Sequence, residues 1–189
     1  MKSKWILALL LAVVGAAVYG GTVLATPPSG VVTTTIAVGR FDANIDARSK
    51  TALPATTKPV AGKGEKGDDS DNRTKYWKAR LSTKGASDVH VLQNTIAPGG
   101  TFGWHSHPGP SLVIVKSGTA TFYLSDDPSC APKVVQAGTG FVDSGSDIHV
   151  VRNEGSVDLV TVVVSLVPAG FARRIDQPAP ANCPALPNG

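Results

Sequence analysis

Apolar and polar positions fall into three regimes along the chain. An uninterrupted apolar stretch runs from Trp5 to Val18, after Lys2 and Lys4. A polar interval from Asp42 to Asn72 carries Pro54, Pro59, Gly62, Gly64 and Gly67 among charges. Short runs rich in Val, Thr and Leu then follow one another from Tyr76 to Val167. These runs are Tyr76 to Leu81, Val89 to Ile96, Leu112 to Lys116, Thr119 to Leu124, Lys133 to Ala137, Ile148 to Arg152 and Val157 to Val167. Turn residues separate them, among them Ala97-Pro98-Gly99-Gly100, Ser117-Gly118, Asp126-Asp127-Pro128 and Asn153-Glu154-Gly155. Evenly spaced β-branched runs with no helical period between them predict an all-β closed barrel or double-sheet roll.

The other segments frame that barrel. Lys2 and Lys4, the apolar stretch and the small residues of Val23-Leu24-Ala25 have the three parts of a secretory signal. Cleavage after Ala25 would leave a secreted protein beginning at Thr26. The other reading is an uncleaved anchor, because a bilayer needs about 20 apolar residues, but Gly15, Gly20 and Gly21 thin the stretch and favour cleavage. Only the uncleaved form would engage a membrane. Val31 to Val38 reads as a β-branched strand, and Asp42 to Asn72 as a flexible linker or long surface loop. Past Pro168 the Pro- and Ala-rich sequence predicts an extended surface tail. The organisation expected is a signal peptide at 1–25, an N-terminal strand and flexible loop at 26–74, a barrel at 75–170 and a tail at 171–189.

Charge excludes one class of partner. The formal charge of +4 falls by two when Lys2 and Lys4 leave with the signal, and +2 is too little for a polyanion binder. The basic residues between Lys58 and Lys84 are interleaved with Glu65, Asp68, Asp69 and Asp71, as on a solvated mixed-charge loop. No nucleic-acid partner is expected. Aromatic residues make up only 6% of the chain, so the core is expected to be aliphatic.

The two cysteines, Cys130 and Cys183, would meet an oxidising compartment after export, where an even pair closes into a disulfide. Cys130 follows a turn and Cys183 lies in the Pro-rich tail, so the bond would fasten the tail to the barrel. No His or Cys stands next to either in sequence to activate it as a ligand or nucleophile.

The candidate chemistry is histidine. The chain has four, and two form His105-Ser106-His107 beside a Gly-rich turn. Residues two apart on a strand share a face, so both rings can reach one point. The segment from Gly99 to Gly118, GGTFGWHSHPGPSLVIVKSG, resembles the first cupin motif, with Gly99, His105, His107 and Gly118 on its spacing. Gly138, His149 and Asn153 match the second motif. The resemblance runs from about Tyr76 to Val167 and implies a cupin-type jelly-roll β-barrel holding a metal on His105, His107 and His149. Three imidazoles suit a divalent first-row transition metal, with Fe, Mn, Zn, Ni and Cu all open. The resemblance also implies a homodimer.

Two departures from the motifs matter. Ser111 stands at the position of the family's Glu ligand, and Ser144 and Ser146 replace the Pro and Gly of the second motif, with Gly145 between them. Three neutral histidines would leave a divalent ion at +2 instead of +1, and such a centre should favour an anionic or chelating small-molecule ligand on its open positions. The pattern also resembles three-histidine cupins, some of which are iron-dependent oxygenases.

Around the histidines, Ser111 is a pocket candidate that could hold a water, and Trp104 either lines the pocket or packs beneath the turn. Tyr123, Asp143 and Asp147 are unranked polar residues near the barrel mouth, Asn153 is assigned to the turn, and His90 falls outside both motifs. No nucleophile elbow, phosphate loop, Cys-x-x-Cys or His-Glu-x-x-His occurs. The sequence favours metal-dependent small-molecule binding. The alternative is a metal-dependent oxygenase or isomerase, and no acid or base declares itself to decide for catalysis.

Overall fold

The structure, a computed structural model, describes residues 25–53 and 76–183. These residues contain strands and turns and no helix. Strands β1 (Ser29–Phe41), β4 (Ser87–Thr101), β11 (Leu159–Pro168), β6 (Ser111–Ser117) and β9 (Gly140–Asp143) lie side by side in one layer. Strands β8 (Lys133–Gln136), β7 (Thr119–Leu124), β10 (His149–Arg152), β5 (His105–Ser106) and β12 (Ile175–Asp176) form the other. The long β4 joins the layers, pairing its end residue Thr101 with Arg152 of β10. Every pairing is antiparallel, and the two layers close on each other as an all-β jelly-roll barrel.

Side-chain alternation builds the interior. Leu159, Thr161, Val163, Ser165 and Val167 of β11 are buried, while Val164 between them is exposed. Ser111 and Val115 of β6 point inward, with Leu112 and Ile114 outward. Ile96, Val115, Ala120, Phe122, Val151 and Leu159 make one cluster between the layers. At about 25 cal/mol per Å² of apolar area removed from water, such a cluster is what holds two sheets together. β10 departs from simple alternation, because all of its residues are buried. Val151 packs into the inner cluster, while Val150 faces a second one made with Trp104, Tyr123, Cys130 and Cys183 on the outside of the sheet.

That second cluster exists because the tail folds back. Cys130 and Cys183 are joined in a disulfide, and β12 pairs Ile175 with Ser106 and Asp176 with His105. The expected surface tail is therefore a strap seated on the strand that begins the His-x-His motif. Two residues of ladder are too few to show as a pattern in sequence. Gly103 sits at the same edge with φ of 68°, and a Cβ there would lie 2.1 Å from the Thr26 carbonyl oxygen. Only glycine lets the N-terminal segment pass this close.

A second departure lies in the interval expected to lack regular structure. Residues Asp46–Ala52 form β2, paired along its length with β3 (Tyr76–Ser82). Every residue of β2 is exposed, so the backbone ladder holds it and no apolar alternation announces it. The rest of that interval, from 54 to 72, lies outside the described residues, as do residues 73–75 and residues 1–24, which hold all of the expected signal but Ala25.

One ion pair fastens the outer strand to the barrel. Arg40 of β1 donates from Nε and Nη2 to both carboxylate oxygens of Asp88 on β4, each at 2.8 Å, and Asp88 also accepts the Gly170 N–H at 2.8 Å. The Arg40 hydrogen bond, then the Gly170 N–H, hold the Asp88 carboxyl far below its ordinary value of 3.8. A depressed carboxylate adds stability that is fully present above its unfolded pKa and lost as pH falls through the folded one. The wild type is therefore expected to lose more thermal stability than D88N between pH 5 and pH 2. Parallel pH dependence of the two melting curves would refute a role for this pair.

Candidate functional site

The three motif histidines meet inside the barrel. His105 lies on β5 and His149 is its register partner on β10. His107 follows one residue after β5, and its N–H donates to the Gly145 carbonyl at 2.7 Å. Ring centroids are 4.4 Å apart for His105 and His149, 4.8 Å for His105 and His107, and 5.4 Å for His107 and His149. One nitrogen of each ring lies within 4.8 Å of the others, and all three residues are buried. A cluster of this geometry fits a metal ion.

The outward nitrogens fix which face each ring presents. His105 Nδ1 contacts the Gly103 carbonyl at 2.8 Å, His107 Nδ1 the Arg173 carbonyl at 2.6 Å and His149 Nδ1 the Asp147 carbonyl at 2.9 Å. A carbonyl oxygen only accepts, so each Nδ1 donates and each ring turns its Nε2 inward, as a lone pair wherever the ring is neutral. Burial, then the neighbouring His149 and Arg174 charges, lower the His105 pKa to about 2. Burial also lowers that of His149, against the pull of Asp143. These two rings are thus neutral near pH 7, the state a metal requires.

Asp143, at the end of β9, brings a carboxylate to the cluster. Its Oδ2 is 3.0 Å from His107 Nε2 and 3.4 Å from His149 Nε2, and its Oδ1 accepts the Gly145 N–H at 2.9 Å. Burial pushes the Asp143 pKa upward, but the His107 contact, the His149 charge and the Gly145 N–H outweigh it and leave it below the ordinary value. Gly145 holds this turn at φ of 105°, and a Cβ there would lie 2.7 Å from the Gly109 backbone.

The remaining sequence candidates separate. Ser111 is buried on the cavity wall, but its hydroxyl is taken up with Ser165 at 2.8 Å. Trp104 is buried in the outer cluster beside the disulfide and is not among the residues around the cavity. Asn153 donates to the Ile96 and Val157 carbonyls, each at 2.8 Å, and accepts the Gly155 N–H, which is the turn role expected of it. Tyr123 donates to Glu154 at 2.8 Å. The Asp147 side chain accepts from Ser144, and its carbonyl orients His149. His90 lies on β4 at the register position facing Ser165 and Val38, apart from the cluster.

Two cavity residues escaped the sequence reading. Arg173 and Arg174 of the strap border the same space as the histidines. Arg174 Nε donates to Asp176 at 2.5 Å, while its two terminal nitrogens are buried with no hydrogen-bond partner. Burial, then the Arg174 charge, lower the Arg173 pKa. The only signal available was an adjacent pair of cations in a tail otherwise made largely of Pro, Ala and Asn.

Residues 93–165 match the family model described as "Cupin domain". Among solved structures, the chain is similar to an oxalate oxidase at 27% identity, covering 43% of this chain and 46% of that one with a TM-score of 0.37. It is also similar to an uncharacterized conserved protein with a double-stranded beta-helix domain from Klebsiella pneumoniae, at 18% identity, 48% and 76% coverage and a TM-score of 0.41. A polyketide cyclase from Streptomyces resistomycificus matches at 16% identity, 46% and 60% coverage and a TM-score of 0.40. The chain spans less than half the length of that oxalate oxidase. No curated protein matches it. The barrel built around the three histidines therefore carries a cupin domain over residues 93–165.

Proposed function

We propose that this chain is a secreted metal-binding cupin that holds one divalent transition metal on Nε2 of His105, His107 and His149 and takes a small anionic ligand beside it. The observation that carries the reading is the commitment of all three Nδ1 atoms to backbone carbonyls, which leaves three Nε2 atoms converging in a buried space. As lone pairs they would repel one another unless a cation sat between them. Imidazole donors suit Zn, Cu, Fe or Ni, and Mn where carboxylate and water complete the set.

Arg174 supports the anionic ligand. Buried N–H groups without an acceptor are costly, and a carboxylate presented to the open face of the metal would accept from both terminal nitrogens. Two further features agree with the reading. The disulfide suits an exported protein. The segment just after the proposed cleavage point is also seated on the barrel, since Thr26 Oγ1 accepts the Trp104 N–H at 2.6 Å. Exposed Val32, Ile36 and Val38 on the outer strand, with Leu112, Ile114 and Val164, offer apolar surface for a homodimer.

The test is metal analysis of protein isolated from its host, followed by chelation and titration with Zn²⁺, Mn²⁺, Ni²⁺, Co²⁺ and Cu²⁺. One metal per chain, removed by chelator and restored on titration, is expected. Protein that arrives without metal and takes up none of the series would refute the reading. On the metal-loaded protein, R174A, which removes both donors, is expected to weaken malonate or acetate binding by at least about tenfold, the value of a single charge-assisted hydrogen bond. Unchanged affinity for both anions would remove Arg174 from the ligand site.

A further inference from the structure

We infer that Asp143 Oδ2 is the oxygen ligand of this metal centre, replacing from the neighbouring strand the carboxylate that Ser111 does not provide. The inference rests on the metal reading above and adds a residue to it. Strands β6 and β9 pair with Ser111 directly opposite Asp143. Antiparallel register partners project from the same face of a sheet, so a carboxylate at either position reaches the same space. Ser111 and Asp143 both border the cavity with the three histidines.

The local hydrogen bonding points the same way. Oδ1 is held by the Gly145 N–H, which orients the carboxylate and leaves Oδ2 facing His107 Nε2 at 3.0 Å and His149 Nε2 at 3.4 Å. With Nδ1 donating to the Asp147 carbonyl, the neutral His149 ring faces the carboxylate with Nε2 as an acceptor. A cation between the two would satisfy both. The Asp143 side chain is only 3% exposed, and no Lys or Arg makes an ion pair with it among the described residues. A buried carboxylate so placed is costly without a countercharge, and a divalent ion held by the histidines would supply one. Ser111 offers no competing charge, because its hydroxyl is bonded to Ser165. With Asp143 bound, the centre is three nitrogens and one oxygen at net +1, instead of the +2 expected from histidines alone.

The experiment uses the chelator-treated secreted chain, Zn²⁺ calorimetry, the Co²⁺ visible spectrum and azide binding to the Co²⁺ form. D143N is expected to bind Zn²⁺ at least about tenfold more weakly than wild type, to change the Co²⁺ d–d bands, and to bind azide more tightly because the centre regains a positive charge. D143N/S111E, which returns a carboxylate across the ladder, is expected to recover most of the Zn²⁺ affinity. Wild type that binds one Zn²⁺ while D143N matches it within about threefold would overturn the inference and leave the metal reading intact. Weaker Zn²⁺ binding with unchanged Co²⁺ bands and azide affinity would also overturn it, reducing Asp143 to a residue that orients the rings. Wild type that binds no metal would overturn both. If D143N fails to fold, D143E moves the carboxylate by one methylene, and unaltered Co²⁺ bands in that variant would equally exclude Asp143.

Discussion

H149A is expected to lose at least a hundredfold in metal affinity while keeping the barrel. His149 is the central member of the cluster: it is the register partner of His105, and it lies within hydrogen-bond reach of the Asp143 carboxylate. Removing one of three imidazoles deletes a full ligand, and even the loss of a residue that merely orients a ligand costs about 10–100-fold. The fold should survive, because His149 does not carry the inner apolar cluster, although Phe122 packs on its ring at 5.1 Å between centroids. Truncation leaves a small cavity and should cost about 2–4 kcal/mol, by analogy with large-to-small changes elsewhere in cores. Calorimetry with Zn²⁺ and a melting curve of the metal-free protein separate the two effects. H90A is the matched control, since His90 lies on β4 away from the cluster, and its metal affinity should equal that of wild type. Stoichiometric, wild-type metal binding by H149A would mean that the histidines are a hydrogen-bonded core feature and not a metal site.

Period, turn chemistry and ligand spacing made the barrel and its three histidines legible. Strands β4, β6, β7, β10 and β11 lie on runs of β-branched residues between Gly, Pro, Asn and Asp turns. What stayed hidden depends on register and on contacts far apart in sequence. Asp143 could be named but not ranked, because only the β6 to β9 pairing sets it opposite Ser111. Arg173 and Arg174 lie beyond the motifs, and they reach the cavity only because the tail turns back to pair with β5. Strand β2 hid for another reason. Its Asp-Ala-Arg-Ser-Lys-Thr-Ala sequence has no buried face, so its order comes from backbone hydrogen bonds that any polar sequence can make.

Opening the disulfide should have the second large effect, on stability and on the site together. The bond closes a loop with a sequence separation of 53, for which the chain-entropy relation gives about 4 kcal/mol. In a chain of this size that corresponds to a fall in melting temperature on the order of 10 °C. C130S/C183S, or reduction of the wild type, should show it by calorimetry. The site follows because the strap carries more than the cysteine. Its Arg173 carbonyl accepts from His107 Nδ1, and its Arg174 nitrogens border the cavity. Once the covalent tie is gone, the strap is held by the short β12–β5 pairing, the His107 contact and a few further hydrogen bonds, among them the Gln177 N–H to the Trp104 carbonyl at 2.9 Å, Gln177 Nε2 to Ser106 at 3.0 Å, and Asn182 Nδ2 to the carbonyls of Ser125 and Asp127 at 3.1 and 2.8 Å. Each adds about 1 kcal/mol net, so the strap should loosen well below the temperature at which the barrel melts. Zn²⁺ affinity should then fall as His107 loses its orienting acceptor, and anion affinity should fall further as Arg174 leaves. A reduced protein that melts within about 3 °C of the oxidised one and binds both equally well would show that the strap docks through its hydrogen bonds and outer cluster alone.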